Sequence, residues 1–198
     1  MTETELTGGG AGQTPIHPDD LDGLRHRWVT TQGQLDELER ANILTAIRFA
    51  QSRSRATGEI LDDVFFRNLH KRAFGEVWQW AGSYRRRATT LGVAPEEIGV
   101  QTRLALLDAQ SQLEAATSEA AMRESLAVLH HRLTVVHPFP NGNGRIGRML
   151  VDVAAQSVGL MIPTWGRGKD DARMRYLQAL RQADRGFVDE LVAFMWTS

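Results

Sequence analysis

The sequence predicts an all-α domain with one minor β element, and three observations carry that reading. Apolar residues recur at helical spacing through most of the chain from Gln34 onward. Between these stretches stand residues suited to starting or stopping helices, among them Asp62 or Asp63, Pro95 and Gly159. Only Thr89-Thr90-Leu91-Gly92-Val93 has the composition of a short extended piece, which predicts a small β-hairpin flap near residues 84–93.

Along the chain, the run T-G-G-G-A-G-Q-T at residues 7–14 is too poor in apolar surface to offset the entropy of ordering it, and residues 1–13 are expected to form a flexible arm. Residues 14–33 hold Thr14-Pro15 and Pro18-Asp19-Asp20, the chemistry of extended chain and turns, and form a lead-in segment. Residues 34–198 are expected to be a single domain. Leu35, Leu38, Ile43, Ile47 and Ala50 mark a first helix with Gly58 as its stop, and Val64, Phe65, Leu69 and Phe74 mark a second. Helices are then expected over about 96–116 and 119–136. A stripe of Ile146, Met149, Leu150, Val153 and Ala154 follows, and the tail repeats the pattern with Met174, Leu177, Leu180, Phe187, Leu191 and Phe194. Trp78 and Trp80 read as core.

Composition removes several functions. The 198 residues suit one well-buried core, and 42% hydrophobic with 24% charged residues is ordinary for a globular chain. A net charge of -1 lacks the basic excess of nucleic-acid binders, so no direct nucleic-acid contact is expected. Without cysteine there is no disulfide, thiolate ligand or cysteine nucleophile. No run of about 18 apolar residues and no apolar leader occur, so no membrane role is expected and the cytoplasm is the expected location. His130 and His131 have no acidic or cysteine partner at ligand spacing and are expected to pack or cap.

Chemistry concentrates in His137-Pro138-Phe139-Pro140-Asn141-Gly142-Asn143-Gly144-Arg145-Ile146-Gly147-Arg148, between two predicted helices. The Gly and Asn residues allow a tight turn that exposes backbone N–H groups at the start of the next helix, a site for phosphate. Arg145 and Arg148, three apart, share a face of that helix. A histidine just upstream, with an ordinary pKa near 6.5, suits a general base. Equally, Asn-Gly pairs make turns, a histidine fills a pocket and arginines solvate a helix. The chemistry alone leaves both readings open.

These residues resemble the Fic family signature H-x-F-x-[D/E]-G-N-G-R-x-x-R, matching at His137, Phe139, Gly142, Asn143, Gly144, Arg145 and Arg148. Leu69-His70, Trp80 to Arg85 and Tyr176 to Asp184 look like regions that flank the signature, so the resemblance spans roughly residues 35–195 and implies a Fic-fold helical bundle. Thr14-Pro15-Ile16, Pro18-Asp19-Asp20 and Glu39-Arg40-Ala41-Asn42-Ile43 resemble the subgroup called mobile mystery protein B. That resemblance implies a helix-turn-helix, antitoxin-like partner and a toxin-like role.

The resemblance implies a protein nucleotidyltransferase, with adenylylation as the leading activity and ATP as co-substrate. His137 would deprotonate a Ser, Thr or Tyr hydroxyl of a target protein, which attacks the α-phosphate. Gly142, Asn143 and Gly144 would cradle phosphates, Arg145 and Arg148 would hold the β and γ phosphates, and Phe139 would anchor the loop. Thr89, Thr90, Leu91 and Gly92 would pair with an extended target segment. Gly144 stands where some members that transfer only phosphate have lysine. The departure is Asn141, where active members carry Asp or Glu for Mg²⁺; an Asn carbonyl oxygen implies a weaker Mg²⁺ or Mn²⁺ ligand. The alternative is a weak or inactive nucleotide- or partner-binding regulator.

Many members restrain themselves with an S/T-x-x-x-E-[G/N] helix whose glutamate pairs with the second arginine of the signature. No glutamate here is followed by Gly or Asn, which points to restraint in trans. Glu39, in Glu39-Arg40-Ala41-Asn42, is a weak substitute candidate for the restraining glutamate, with a solvated charge on a helix face the stronger expectation, and Arg85-Arg86-Arg87 is expected to be a solvated basic edge.

Overall fold

A computed structural model describes residues 18–51, 55–168 and 170–197. The arm expected over residues 1–13, and Thr14-Pro15-Ile16 of the lead-in, lie outside the described residues. The helices are α1 (Pro18–Leu21), α2 (Gln32–Gln51), α3 (Thr57–Ile60), α4 (Asp63–Phe74), α5 (Ile98–Ala115), α6 (Glu119–Val136), α7 (Asn143–Ser157), α8 (Ala172–Ala183) and α9 (Asp189–Trp196).

Local chemistry sets most of the boundaries. Asp62 caps α4, its carboxylate accepting from the N–H groups of Val64 (2.8 Å) and Phe65 (3.1 Å). Ser118 caps α6 through the Ala121 N–H at 3.3 Å. Helix α7 ends at Ser157, and Gly159 beyond it has a φ of +77° that lets Leu160 donate back to the Ala155 carbonyl at 2.9 Å. The core lies where α6 and α7 pack together: Leu126, Leu129, Ile146 and Leu150 are all buried. Helix α5 covers α6 on one side, α2 packs on α4, and α9 packs on both α8 and α6.

Three expectations are corrected. Gly58 lies inside α3 rather than stopping the first helix, because that helix ends at Gln51. In α8 the buried positions are Ala179 and Ala183, whereas Met174 (70%) and Leu177 (39%) are exposed. Small residues let α8 approach its neighbours closely, so the larger apolar side chains point outward. Among the described residues there is no strand; Leu24 and Trp78 form an isolated antiparallel bridge. The 84–93 segment is therefore a loop and not a hairpin. Its two ends bind the α6–α7 connection instead of each other: Arg85 N–H donates to the Pro138 carbonyl (2.9 Å) and Val93 N–H to the Val136 carbonyl (3.4 Å).

Candidate active site

The site is the connection between α6 and α7. His137 caps the C-terminus of α6 in the left-handed region (φ 51°, ψ 60°), its N–H returning to the Leu133 carbonyl at 3.1 Å. Pro138 then prevents the helix from continuing. The His137 side chain is buried, and burial pushes its pKa below the usual value; a hydrogen bond to the Thr134 backbone opposes the shift and the Arg85 charge adds to it. The result is a neutral imidazole at neutral pH, the protonation state a general base requires.

Phe139 is the anchor. It is fully buried, stacks on His70 at 3.7 Å between centroids, and lies 5.3 Å from Phe66 and 5.4 Å from Tyr84. Asn143 closes the loop with its side chain: Oδ1 accepts from Phe139 N–H and Nδ2 donates to the Phe139 carbonyl, both at 2.8 Å. The sequence places Asn143 among the phosphate-binding residues. Its side chain is committed to the loop, which leaves its backbone N–H for an anion. Gly142 has φ +80°, and a Cβ there would come within 2.6 Å of the Phe74 ring. Only glycine fits.

Helix α7 starts at Asn143, and its first intrahelical acceptor, the Gly142 carbonyl, is used by Ile146 (3.0 Å). Among the described residues, the N–H groups of Asn143, Gly144 and Arg145 have no acceptor. Three converging donors at the positive end of a helix form an anion cradle. A Cβ at Gly144 would meet only Arg148 Nη1, at 3.7 Å, so this position leaves the cradle open.

The two arginines are brought to the cradle but lie in different surroundings. Arg148 lies 5.8 Å from the Tyr176 ring, at the wall of a pocket of about 370 Å³ formed with Trp165, Arg173, Tyr176 and Phe194. Arg145 stacks over Phe74 at 4.8 Å and forms an ion pair with Glu39. Glu39 is not the solvated charge expected of it: it is 1% exposed, accepts from Trp78 Nε1 at 2.7 Å, and lies 3.5 Å from Asn141 Nδ2. Apolar residues alone define the α2 stripe, and a carboxylate whose partner lies 106 positions away leaves no local signal.

Arg85 is the second corrected residue. Its guanidinium is buried and donates to the carbonyls of His137 (2.7 Å), Arg87 (2.7 Å), Val93 (2.5 Å) and Val136 (3.3 Å). Burial lowers its pKa. These bonds account for the missing hairpin, since one side chain takes the Arg87 and Val93 carbonyls within the segment and ties it to His137 and Val136. Of the predicted docking residues, Thr89, Thr90, Leu91 and Gly92 are exposed, and Gly92 backs onto His137, with an added Cβ 2.8 Å from the His137 Cβ. His70 is a contributor whose role sequence reasoning did not assign. Fully buried, with its pKa lowered to about 3 mainly by burial, it accepts from Gly82 N–H at Nδ1 (2.9 Å) and donates from Nε2 to the Asn141 carbonyl (3.1 Å).

The model of the Fic/DOC family matches residues 60–155. A Fido domain-containing protein of Dictyostelium discoideum is 32% identical over 108 residues, covering 52% of this chain and 72% of that protein. The chain belongs to the Fic/DOC family. It is also similar to a probable protein adenylyltransferase of Sinorhizobium fredii, 26% identical over 181 residues that cover 86% of this chain and 88% of that one. A probable protein adenylyltransferase of Aquifex aeolicus is 36% identical over 61 residues, and there the match spans only 18% of the relative's length. Among solved structures, the BepC protein of Bartonella tribocorum with bound AMPPNP superposes with a TM-score of 0.69 at 17% identity, covering 90% of this chain and 96% of that chain. That likeness confirms the Fic fold expected from the signature.

The fit to a divalent cation rests on Asn141. Its Oδ1 already accepts from Gly142 N–H at 2.7 Å, which leaves one lone pair for a ligand bond. Among the described residues no group of three or more His, Asp or Glu side chains is placed to hold a metal. The donor set therefore suits a cation that keeps most of its waters and is held mainly by substrate phosphates, as Mg²⁺ often is. No described helix is long and apolar enough to cross a membrane.

Proposed function

We propose that this chain is a protein nucleotidyltransferase, with ATP the leading co-substrate. The reaction joins a Ser, Thr or Tyr hydroxyl oxygen of a target protein to the α-phosphorus, breaks the bond from that phosphorus to the β-phosphate bridging oxygen, and releases pyrophosphate. The observation that carries this reading is the juxtaposition of a neutral, buried His137 with three acceptor-free N–H groups and two guanidinium groups on the next helix. His137 takes the hydroxyl proton, the cradle and the arginines bind phosphate charge, and Asn141 offers a single oxygen to a Mg²⁺ or Mn²⁺ ion that would neutralise part of that charge. The exposed 89–92 loop, backed onto His137, is suited to hold an extended target segment.

A second reading, a regulator that binds nucleotide without transferring it, is favoured by the Glu39–Arg145 pair. With Glu39 bound, Arg145 Nη1 is occupied and part of its charge is offset, which weakens its hold on a phosphate. We read the pair as a restraint built into this chain, so a helix-turn-helix partner is not needed for restraint. The test incubates the protein with α-labelled ATP, GTP, CTP or UTP, Mg²⁺ and a cell lysate. Labelled protein is expected from the wild type, while His137→Ala should lower transfer by roughly 10²–10⁴-fold and keep most nucleotide binding. Equal labelling by both would remove His137 from its role, and no labelling with any nucleotide would leave the regulator reading.

A further inference from the structure

Helix α5 has two apolar faces. Ile98, Thr102, Ala105, Leu106, Ala109 and Leu113 are buried in the domain. On the opposite face Val100, Leu104 and Leu107 are 52%, 44% and 56% exposed. Written as a heptad with Leu104 at a, Val100 and Leu107 fall at d and every buried residue falls at b, c or f. The exposed seam therefore has the spacing of a helix-pairing surface. Arg103 lies beside it at g and Asp108 at e, both exposed. Glu97 at a and Glu114 at d close the seam at either end.

We propose that this seam pairs with the same seam of a second copy of the chain, the two α5 helices running parallel about a two-fold axis. The flanking charges at e and g select both the partner and the direction, while Glu97 and Glu114, which face their own copies in a parallel pair, lie at the solvated ends of the seam and limit its length. In a parallel pair, g of one helix reaches e of the following heptad on the other, so Arg103 meets Asp108 of the second copy, and symmetry repeats the contact. In an antiparallel pair, g faces g and e faces e, which sets Arg103 against Arg103 or Gln110 and Asp108 against Asp108 or Gln101. Neither choice gives an ion pair. Arg103 has no ion-pair partner among the described residues, and Asp108, bound to Arg132, keeps acceptor capacity for a second guanidinium.

The domain already holds α5 helical, so the nucleation cost that defeats short isolated helices does not arise. Three apolar layers are fewer than the roughly 800 Å² per partner of a stable dimer requires, so the association is weak and concentration-dependent. Parallel pairing sets the two 84–93 loops, which lead into the N-termini of α5, at the same end of the dimer. This proposal does not depend on the transfer reaction.

The chain has no cysteine, so Leu104→Cys introduces a single thiol. In a parallel pair residue 104 faces its own copy, and oxidised glutathione is expected to convert this variant to a disulfide dimer on non-reducing gels. Gln112→Cys, exposed at position b off the seam, should stay monomeric. Sedimentation of the cysteine-free chain should show a reversible dimer whose Kd rises about fivefold with Arg103→Glu, because two rim pairs of about 0.5 kcal/mol each are lost. Arg103→Glu with Asp108→Arg should regain it. A chain monomeric at every concentration, equal crosslinking at 104 and 112, or crosslinking only in a mixture of Leu104→Cys and Leu107→Cys would overturn the parallel dimer.

Discussion

The α6–α7 loop and the 84–93 loop meet at His137 but are held in different ways. The first is closed by its own residues, with Asn143 reaching back four positions to both polar groups of the Phe139 backbone. The second has no strand pairing, and Arg85 binds it to the carbonyls of His137 and Val136, about fifty positions away. A loop closed from within keeps its shape even when its surroundings loosen. A loop held at its two ends by backbone bonds and across its span by the Arg85 side chain loosens between those ends when that side chain is removed. The residues at the start of α7 are thus held by local bonds, while the 84–93 loop relies on the Arg85 guanidinium beside its two backbone bonds.

Arg85→Ala tests that contrast with the largest effect. It leaves the buried His137 carbonyl and the part-buried carbonyls of Arg87 and Val93 without the Arg85 donor and is expected to cost about 3 kcal/mol in chemical denaturation. Hydrogen exchange should accelerate across residues 86–93 and stay slow at Phe139 and Asn143. Equal acceleration in both loops would mean that they form one unit.

The same contrast explains what was legible in the sequence. Helix α6 matches its expected span, and α5 differs by two residues at one end and one at the other, because periodicity and caps are local. The signature residues were legible for the same reason: His137 to Arg148 is one contiguous stretch. What was not legible is non-local. Glu39 on α2, His70 on α4 and Arg85 in the loop acquire their roles from partners far along the chain, and a charged residue seen alone reads as solvated. The hairpin expectation failed likewise. Thr89 to Val93 has the composition of a strand, but nothing in it reveals that Arg85 takes the carbonyl of Val93 and ties the segment to His137 and Val136.

His70 joins the two regions, bonding Gly82 just before one loop and Asn141 in the other. Its pKa is held near 3, as is that of the buried His130 that meets the Tyr176 hydroxyl at 2.9 Å. Both folded values lie below the unfolded value of 6.5, so the unfolded chain binds more protons between these limits. Their contribution to stability is complete above about pH 6.5 and falls as the pH drops toward 3, by about 1.4 kcal/mol per pH unit for each histidine. Urea unfolding between pH 7 and 5 should show that slope, and His70→Asn should remove about half of it. An unchanged slope would place the acid sensitivity elsewhere.

Glu39→Gln addresses the restraint and has a smaller expected effect. Glutamine keeps the shape and can still accept from Trp78, but it exchanges a charge-assisted bond to Arg145 for a neutral one, a difference of about 1 kcal/mol. Arg145 then turns more readily to phosphate, and calorimetry should show nucleotide binding tightened about fivefold. Weaker binding would instead make Glu39 the residue that positions Arg145.

Asn141→Asp is the finest probe, because it changes one group at the point where α2, α4 and the cradle meet. The Asn141 amide now faces Glu39 at 3.5 Å, and its oxygen accepts from Gly142 N–H. A carboxylate keeps the second contact and reverses the first, setting like charge against a carboxylate that is 1% exposed. Without a cation the variant should melt at a lower temperature than the wild type. Mg²⁺ with a non-hydrolysable nucleotide supplies opposite charge at that point, so the melting temperature should rise more steeply with Mg²⁺ in the variant than in the wild type. Transfer at low Mg²⁺ should rise a few-fold for the same reason. Parallel Mg²⁺ responses would show that the cation does not approach residue 141, and a variant more stable than the wild type without Mg²⁺ would show that Arg145 already neutralises both carboxylates.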